Sequence, residues 1–183
     1  VLIFAVDASG SSALARLGEA KGAVELLLAQ AYARRDHVAL IAFRGTAAEL
    51  MLPPTRSLVQ TKRRLASLPG GGGTPLAAGL QMAFELAGQT KARGMTPTVA
   101  LLTDGRGNIA LDGSANREMA EADSLKLART LRATGIPALV IDIATRPQPA
   151  LNRLAEVLNA PYLPLPRADA QRLSAALQAA LGD

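Results

Sequence analysis

The chain alternates between short runs of apolar residues and longer segments in which apolar residues recur every three or four positions. Four of the apolar runs, at 1–6, 37–43, 98–103 and 136–143, have the composition expected of strands buried on both faces. Two further segments, 49–52 and 162–165, adjoin or contain proline, which confines them to the edges of a sheet. We expect the first of these edge strands to end at Pro53 and Pro54.

The segments between these runs have the apolar period of a helix. The longer helices are predicted at 14–35, at 76–87 with Pro75 in the first turn, at 125–134 before Gly135, and at 173–181. Shorter helices are predicted at 58–68 and 150–158. Strands that alternate with helices through short connections predict an open, mostly parallel, doubly wound α/β sheet with helices on both faces, a Rossmann-type three-layer arrangement.

The composition indicates one domain with an aliphatic core. The chain has 183 residues, of which 49% are hydrophobic but only 3% aromatic, and this length is sufficient to bury a core without covalent cross-links. It contains no cysteine, which excludes disulfides and thiolate metal ligands. No apolar run reaches the ~18 residues that a membrane span needs. Because the sequence begins inside a predicted strand, we expect residues 1–183 to be a single domain of a longer protein.

The charge of the chain is moderately positive. Twenty lysines and arginines against fifteen acidic residues give a formal net charge of +5. The basic residues lie in separate segments, and only three phenylalanines and two tyrosines are available to stack on bases, so the pattern argues against nucleic-acid binding. We expect most of these charges to lie on solvated helix faces, with a modest preference for an acidic protein partner as the alternative.

Three segments carry oxygen ligands at positions where a doubly wound sheet binds its ligands, the carboxyl ends of strands near the reversal of strand order. Asp7, Ser9 and Ser11 follow the first strand, Thr74 follows four glycines, and Asp104 follows the strand at 98–103. Alternate side chains of an extended turn point the same way, and the glycines allow the backbone to bring Thr74 close. Two carboxylates with three hydroxyls suit a small hard cation, Mg²⁺, with Mn²⁺ or Ca²⁺ as substitutes.

The longest polar connection runs from Gly105 to about residue 120, beside this predicted metal site. Loops of this length inside a compact domain are usually functional or mobile. We expect a role in contacting a partner for four of its residues, with a surface loop of no specific function as the alternative. These four residues are Arg106, Asn108, Asp112 and Arg117.

Other interpretations of the same segments are less complete. Asp7 and Ser9 are also residue types preferred at helix N-caps, but a cap requires neither Asp104 nor a glycine-rich turn. The glycine run lacks the Gly-Lys-Ser/Thr ending of a phosphate-binding loop. An aspartate after the first strand also occurs in haloacid-dehalogenase-type phosphatases, which need a second aspartate where this chain has Ser9. The single histidine, His37, heads a strand and offers no Ser-His-Asp triad.

These motifs together resemble the von Willebrand factor A, or integrin I, domain and its metal-ion-dependent adhesion site. The resemblance consists of Asp-x-Ser-x-Ser after the first strand, a glycine-rich turn ending in threonine, and Thr-Asp-Gly after a later strand. It implies that Ser9, Ser11 and Thr74 are hydroxyl ligands of the metal. It also implies that Asp7 and Asp104 bind the metal directly or through water.

A narrower resemblance is to the C-terminal integrin I domain of the magnesium chelatase D-subunit family. The stretches that carry it are Ala-Lys-Gly-Ala-Val, Val-Ala-Leu-Ile-Ala-Phe-Arg-Gly, Leu-Pro-Pro-Thr-Arg-Ser and Leu-Pro-Gly-Gly-Gly-Gly-Thr-Pro-Leu. That family belongs to the complex that inserts Mg²⁺ into protoporphyrin IX for (bacterio)chlorophyll synthesis. The resemblance implies a position in the C-terminal part of a longer chain, in the bacterial cytoplasm or, for a plant protein, the plastid stroma.

The function that follows is Mg²⁺-dependent docking rather than catalysis by the domain itself. The expected partner is the AAA+ ATPase subunit, the porphyrin-binding subunit, or both, each through an acidic side chain that completes the coordination of the ion. Two alternatives remain: an adhesion-site domain from another AAA+ partner system, and an Mg²⁺-dependent phosphatase.

Overall fold

The computed structural model describes residues 1–9, 21–68, 70–105, 107–144 and 146–164, and these residues form six strands and five helices. The strands are β1 (Leu2–Asp7), β2 (Val38–Arg44), β3 (Ala47–Thr55), β4 (Thr98–Thr103), β5 (Ala138–Asp142) and β6 (Tyr162–Pro164). The helices are α1 (Lys21–Ala33), α2 (Leu58–Ala66), α3 (Leu76–Ala92), α4 (Arg117–Thr134) and α5 (Pro149–Leu158).

The strands form one sheet in the order β3-β2-β1-β4-β5-β6. All neighbouring strands are parallel except β2 and β3, which are antiparallel. The chain moves outwards from β1 to one edge and returns through β4 to the other, so the order reverses between β1 and β4. The predicted fold class, a doubly wound and mostly parallel α/β sheet, is confirmed.

Each face of the sheet carries its own apolar core, because successive side chains of a strand point to opposite faces. In β1, the even-numbered Leu2, Phe4 and Val6 pack in the core that includes residues of α1. The odd-numbered Ile3 and Ala5 pack in the core formed with α3, α4 and α5. Burial on both faces explains why β1 is a continuous apolar run in the sequence.

Several predicted boundaries are wrong. The helix predicted at 125–134 begins at Arg117, and the helix predicted at 76–87 extends to Ala92. The edge strand β3 does not end at Pro53 and Pro54 but continues to Thr55; an edge strand tolerates proline, which lacks only a ladder hydrogen bond on the open side. Strand β5 is shorter than the predicted segment 136–143. The polar connection ends at Asn116 rather than near residue 120, because the Asn116 side chain accepts a hydrogen bond from the backbone N–H of Met119 and caps α4.

Some predictions fall outside the described residues. They concern Ser11, Arg106, Leu165, the beginning of the helix predicted at 14–35, and the helix predicted at 173–181. Within the described ranges, no helix combines the length and the hydrophobicity that crossing a membrane requires.

Candidate metal site

Two buried carboxylates lie at the carboxyl ends of adjacent parallel strands. Asp7 is the last residue of β1, and Asp104 directly follows β4. Strands β1 and β4 pair in parallel register, so their ends lie on the same edge of the sheet, at the reversal of strand order. Asp7 is 0% exposed and Asp104 is 6% exposed. Ligands of doubly wound sheets bind at this position.

Both carboxylate oxygens of Asp7 accept hydrogen bonds that fix the orientation of the side chain. Its Oδ1 accepts from the backbone N–H of Ser9 at 2.9 Å and from the Ser9 hydroxyl at 2.5 Å. Its Oδ2 accepts from the hydroxyl of Thr103 at 2.8 Å. Thr103 is the threonine of the Thr-Asp-Gly motif, but no pattern in the sequence predicts that it orients Asp7.

The glycine-rich turn brings Thr74 to the same point. Gly71 donates its N–H to the carbonyl of Ala8 at 3.2 Å, so the turn is joined to the segment that follows β1. Gly72 has φ +82°, and a Cβ there would lie 2.9 Å from the Cα of Gly45, which excludes a larger residue. The buried Thr74 then donates its hydroxyl to the Ser9 hydroxyl oxygen at 2.7 Å.

Asn108 holds Thr74 in position from the other side. The Thr74 backbone N–H donates to Asn108 Oδ1 at 2.8 Å, and the Asn108 N–H donates back to the Thr74 carbonyl at 3.1 Å. A Cβ on Gly73 would lie 2.6 Å from a side-chain carbon of Ile109, so this approach also depends on glycine. Asn108, predicted as a partner contact, is therefore engaged in positioning a candidate ligand.

The electrostatic environment disfavours the negative charge of Asp7. The pKa of Asp7 is raised from 3.8 to about 6, mainly by burial and also by the nearby carboxylate of Asp104. Hydrogen bonds from Ser9 and Thr103 act in the opposite direction but do not outweigh burial. A positive ion at this point would remove the unfavourable interaction.

The chemistry of these oxygens fits a magnesium ion. Ligands at ~2.1 Å from an octahedral Mg²⁺ lie about 3 Å from one another. The Asp7, Ser9 and Thr74 oxygens are separated by 2.5 Å and 2.7 Å along their hydrogen-bonded chain, so small displacements would bring them to ligand spacing. The described residues contain no cluster of three His, Cys, Asp or Glu side chains suited to a metal, so hydroxyl oxygens would have to supply much of the coordination.

Two other predicted partner residues, Asp112 and Arg117, lie farther along the chain. Asp112 is exposed, and hydrogen bonds from the Ser114 hydroxyl and from the Ser114 backbone N–H, the latter at 2.8 Å, lower the pKa of its carboxyl. Arg117 is exposed, but it is the first residue of α4 and not a loop residue. A further buried carboxylate, Asp142 at the end of β5, is a structural group. It accepts hydrogen bonds from the Ala144 and Gln148 N–H groups and from the Tyr162 hydroxyl.

Comparisons with known proteins show which families the chain is similar to. The chain is 75% identical over 183 residues to the magnesium-chelatase 60 kDa subunit of Cereibacter sphaeroides, covering 100% of this chain and 33% of that protein. It is 66% identical over 181 residues to the protein of the same name from Rhodobacter capsulatus, covering 99% of this chain and 32% of that protein. The chain thus spans about a third of the length of these relatives. These matches confirm the resemblance indicated by the sequence motifs.

A solved structure shows the same fold at low identity. The von Willebrand factor domain of the type V pili tip protein Mfa5 from Porphyromonas gingivalis matches with a TM-score of 0.76 at 12% identity, covering 97% of this chain and 93% of that one. The family model of the von Willebrand factor type A domain matches residues 2–106, a range that contains Asp7, Ser9, Thr74 and Asp104. The chain belongs to the von Willebrand factor type A domain family.

Proposed function

We propose that this domain binds one Mg²⁺ at the ends of β1 and β4 and uses it to hold an acidic side chain of another protein. The observation that carries the proposal is the hydrogen-bonded chain from Asp7 through Ser9 to Thr74, with Asp104 close enough to raise the pKa of Asp7. Two segments far apart in sequence thus direct their side-chain oxygens to one point beside two buried carboxylates.

Each residue has a distinct part in this proposal. Ser9 and Thr74 supply neutral hydroxyl oxygens, while Asp7 and Asp104 supply negative charge directly or through bound water. Thr103 orients Asp7 through its hydrogen bond to Oδ2. When bound, Mg²⁺ would supply a positive charge with a coordination position free for an external carboxylate. Two carboxylates balance the charge of the ion, so an external carboxylate would bind through the free coordination position and not through a net positive charge of the site.

The arrangement favours docking over hydrolysis. A phosphatase that attacks through the first aspartate needs a second acid two residues later. Here that position is Ser9, which itself donates to Asp7. The domain is accordingly proposed to act through binding alone.

The similarity to magnesium-chelatase 60 kDa subunits suggests the setting of this docking. We propose that the domain is part of a subunit of that complex, which inserts Mg²⁺ into protoporphyrin IX in the bacterial cytoplasm. Its partner would be the AAA+ ATPase subunit or the porphyrin-binding subunit, through an aspartate or glutamate. Docking of this kind would transmit ATP-driven movement to the subunit that holds the porphyrin.

The test measures binding of the full-length protein to each purified chelatase subunit, with Mg²⁺ and after its removal. Asp104→Ala and Thr74→Ala should each weaken Mg²⁺ binding measured by calorimetry, and should abolish the Mg²⁺-dependent part of partner binding. Glu85→Gln is the matched control, because Glu85 is an exposed carboxylate in the middle of α3, outside the site. Partner binding that is equally strong without Mg²⁺ and in Asp104→Ala would overturn the proposal.

A further inference from the structure

A cavity of about 220 Å³ opens between the first turns of α4 and α5, at the same edge of the sheet as the candidate metal site. We refer to it as the α4–α5 cavity. Its walls are formed by the segment after β4, the start of α3, and the facing sides of the two helices. The described residues that define it best are Leu76, Gly105, Ala120, Ser124, Leu151 and Leu154.

Two walls of the cavity are continuous with the segments of the metal site. Gly105 directly follows Asp104, and its N–H donates to the Thr103 hydroxyl at 3.1 Å. Leu76 lies two residues after Thr74 and is the first residue of α3. Gly105 has φ +78°, and a Cβ there would lie 2.5 Å from Leu151 Cγ, so the backbone is packed directly on α5.

The chemistry of the cavity is that of a side-chain pocket. Its buried side chains are apolar apart from Ser124, and the half-buried Gln148 adds a second uncharged polar group to the described lining residues. Arg117 and Glu121 are exposed at its rim, and their opposite charges cancel. With no charge in the interior, the cavity favours an apolar occupant.

The size of the cavity limits what it can hold. An apolar cavity of about 150 Å³ accepts a benzene molecule, so 220 Å³ has room for one leucine, methionine or phenylalanine side chain. Sites for complete small molecules are usually ~300–1,000 Å³. The cavity is therefore too small for a tetrapyrrole and suits a single side chain.

We propose that the α4–α5 cavity binds an apolar side chain of the same partner that supplies the carboxylate to the metal, within a few residues of that carboxylate. This inference rests on the proposed docking function and specifies which partner segments the site would accept. Because consecutive Cα atoms are about 3.8 Å apart, a short extended segment reaches from the site beside Asp104 to the cavity wall at Gly105. Recognition would require an acidic and an apolar residue together, and this excludes isolated surface carboxylates of other proteins.

The test fills the cavity without changing the metal ligands. Ala120→Leu, in the full-length protein, adds three carbon atoms to the cavity lining, whereas Ala122→Leu on the exposed side of the same helix is the matched control. Burying a leucine side chain contributes enough free energy that losing it should weaken partner binding about 10-fold or more. Mg²⁺ affinity, measured by calorimetry on the same samples, should be unchanged in both variants.

A second variant covers the case in which Ala120→Leu does not fold, which thermal unfolding would reveal. Ala150→Leu narrows the exposed rim of the cavity at the start of α5 and should also weaken binding of the purified AAA+ ATPase subunit or porphyrin-binding subunit. If folded cavity variants bind these subunits like the wild type while binding still requires Mg²⁺, the cavity proposal is wrong and the docking function stands. If wild-type binding does not require Mg²⁺, the docking function fails and the cavity proposal fails with it.

Discussion

Replacing Asp7 by asparagine should make the metal-free protein more stable at neutral pH. Burial raises the pKa of Asp7 to about 6, against 3.8 for an exposed aspartate. A carboxyl group whose pKa is higher in the folded state than in the unfolded state contributes its full stability at pH values below its unfolded-state pKa. This contribution is lost as the pH rises through its folded-state pKa. Ionised Asp7 therefore lowers the free energy of unfolding, and asparagine removes that charge.

The magnitude follows from the two pKa values. Their difference corresponds to about 3 kcal/mol of stability lost by pH 7, of which about 1 kcal/mol is lost between pH 5 and pH 7. Asparagine keeps one acceptor oxygen but weakens a hydrogen bond from Ser9 or Thr103, at a cost of about 1 kcal/mol. We therefore expect the free energy of unfolding of Asp7→Asn to exceed that of the wild type by about 2 kcal/mol at pH 7 and by less than about 1 kcal/mol at pH 5.

Urea unfolding of dialysed, metal-free protein at pH 5, 6 and 7 measures this difference. Asp112→Asn serves as the control, because Asp112 is exposed and its pKa is lowered, so its stability contribution does not change over this range. The reasoning is refuted if Asp7→Asn is less stable than the wild type at pH 7. It is refuted equally if the advantage of the variant does not shrink towards pH 5.

Two further predictions concern packing and a buried hydrogen-bond group. Gly79→Ala should lower the free energy of unfolding by about 1–3 kcal/mol, because the new Cβ would lie 2.5 Å from the Phe43 ring. Gly88→Ala in the same helix meets nothing within 4 Å and should raise it by about 0.5–1 kcal/mol in the same urea titration. Asp142→Asn should lower the free energy of unfolding by about 2–3 kcal/mol, because the buried carboxylate accepts three hydrogen bonds and asparagine cannot accept all of them. Tyr162→Phe removes only one of those bonds and should cost less; an equal cost in thermal unfolding would contradict the assignment.

The sheet is largely predictable from the sequence, because strands buried on both faces are continuous apolar runs. Strand β4 has the predicted boundaries, and the edge positions of β3 and β6 follow from their prolines. The length of β3 is not predictable in the same way. In a central strand, proline indicates the end of the strand. In an edge strand, proline is tolerated at a position whose N–H would face solvent, so the length of β3 depends on how it pairs with β2.

The candidate ligands are predictable for a different reason. The rule that ligands bind at strand ends selects Asp7 and Asp104 once the strands are known. The residues that orient them are not selected by this rule. Asn108 holds Thr74 across 34 positions of sequence, and Thr103 holds Asp7 across 96. Such hydrogen bonds depend on tertiary contacts, which no local pattern encodes.

The position of Asp7 makes protons and the proposed metal ion competitors for one group. Any positive charge near its buried carboxylate is favourable: below about pH 6 a proton supplies it, and above that pH a divalent cation would. Metal binding that requires a deprotonated ligand weakens as the ligand protonates. With a pKa of about 6, Mg²⁺ affinity should fall about tenfold from pH 7 to pH 5. Calorimetric titration with Mg²⁺ at these two pH values tests this, and equal affinities would mean that Asp7 does not lose its proton when the ion binds.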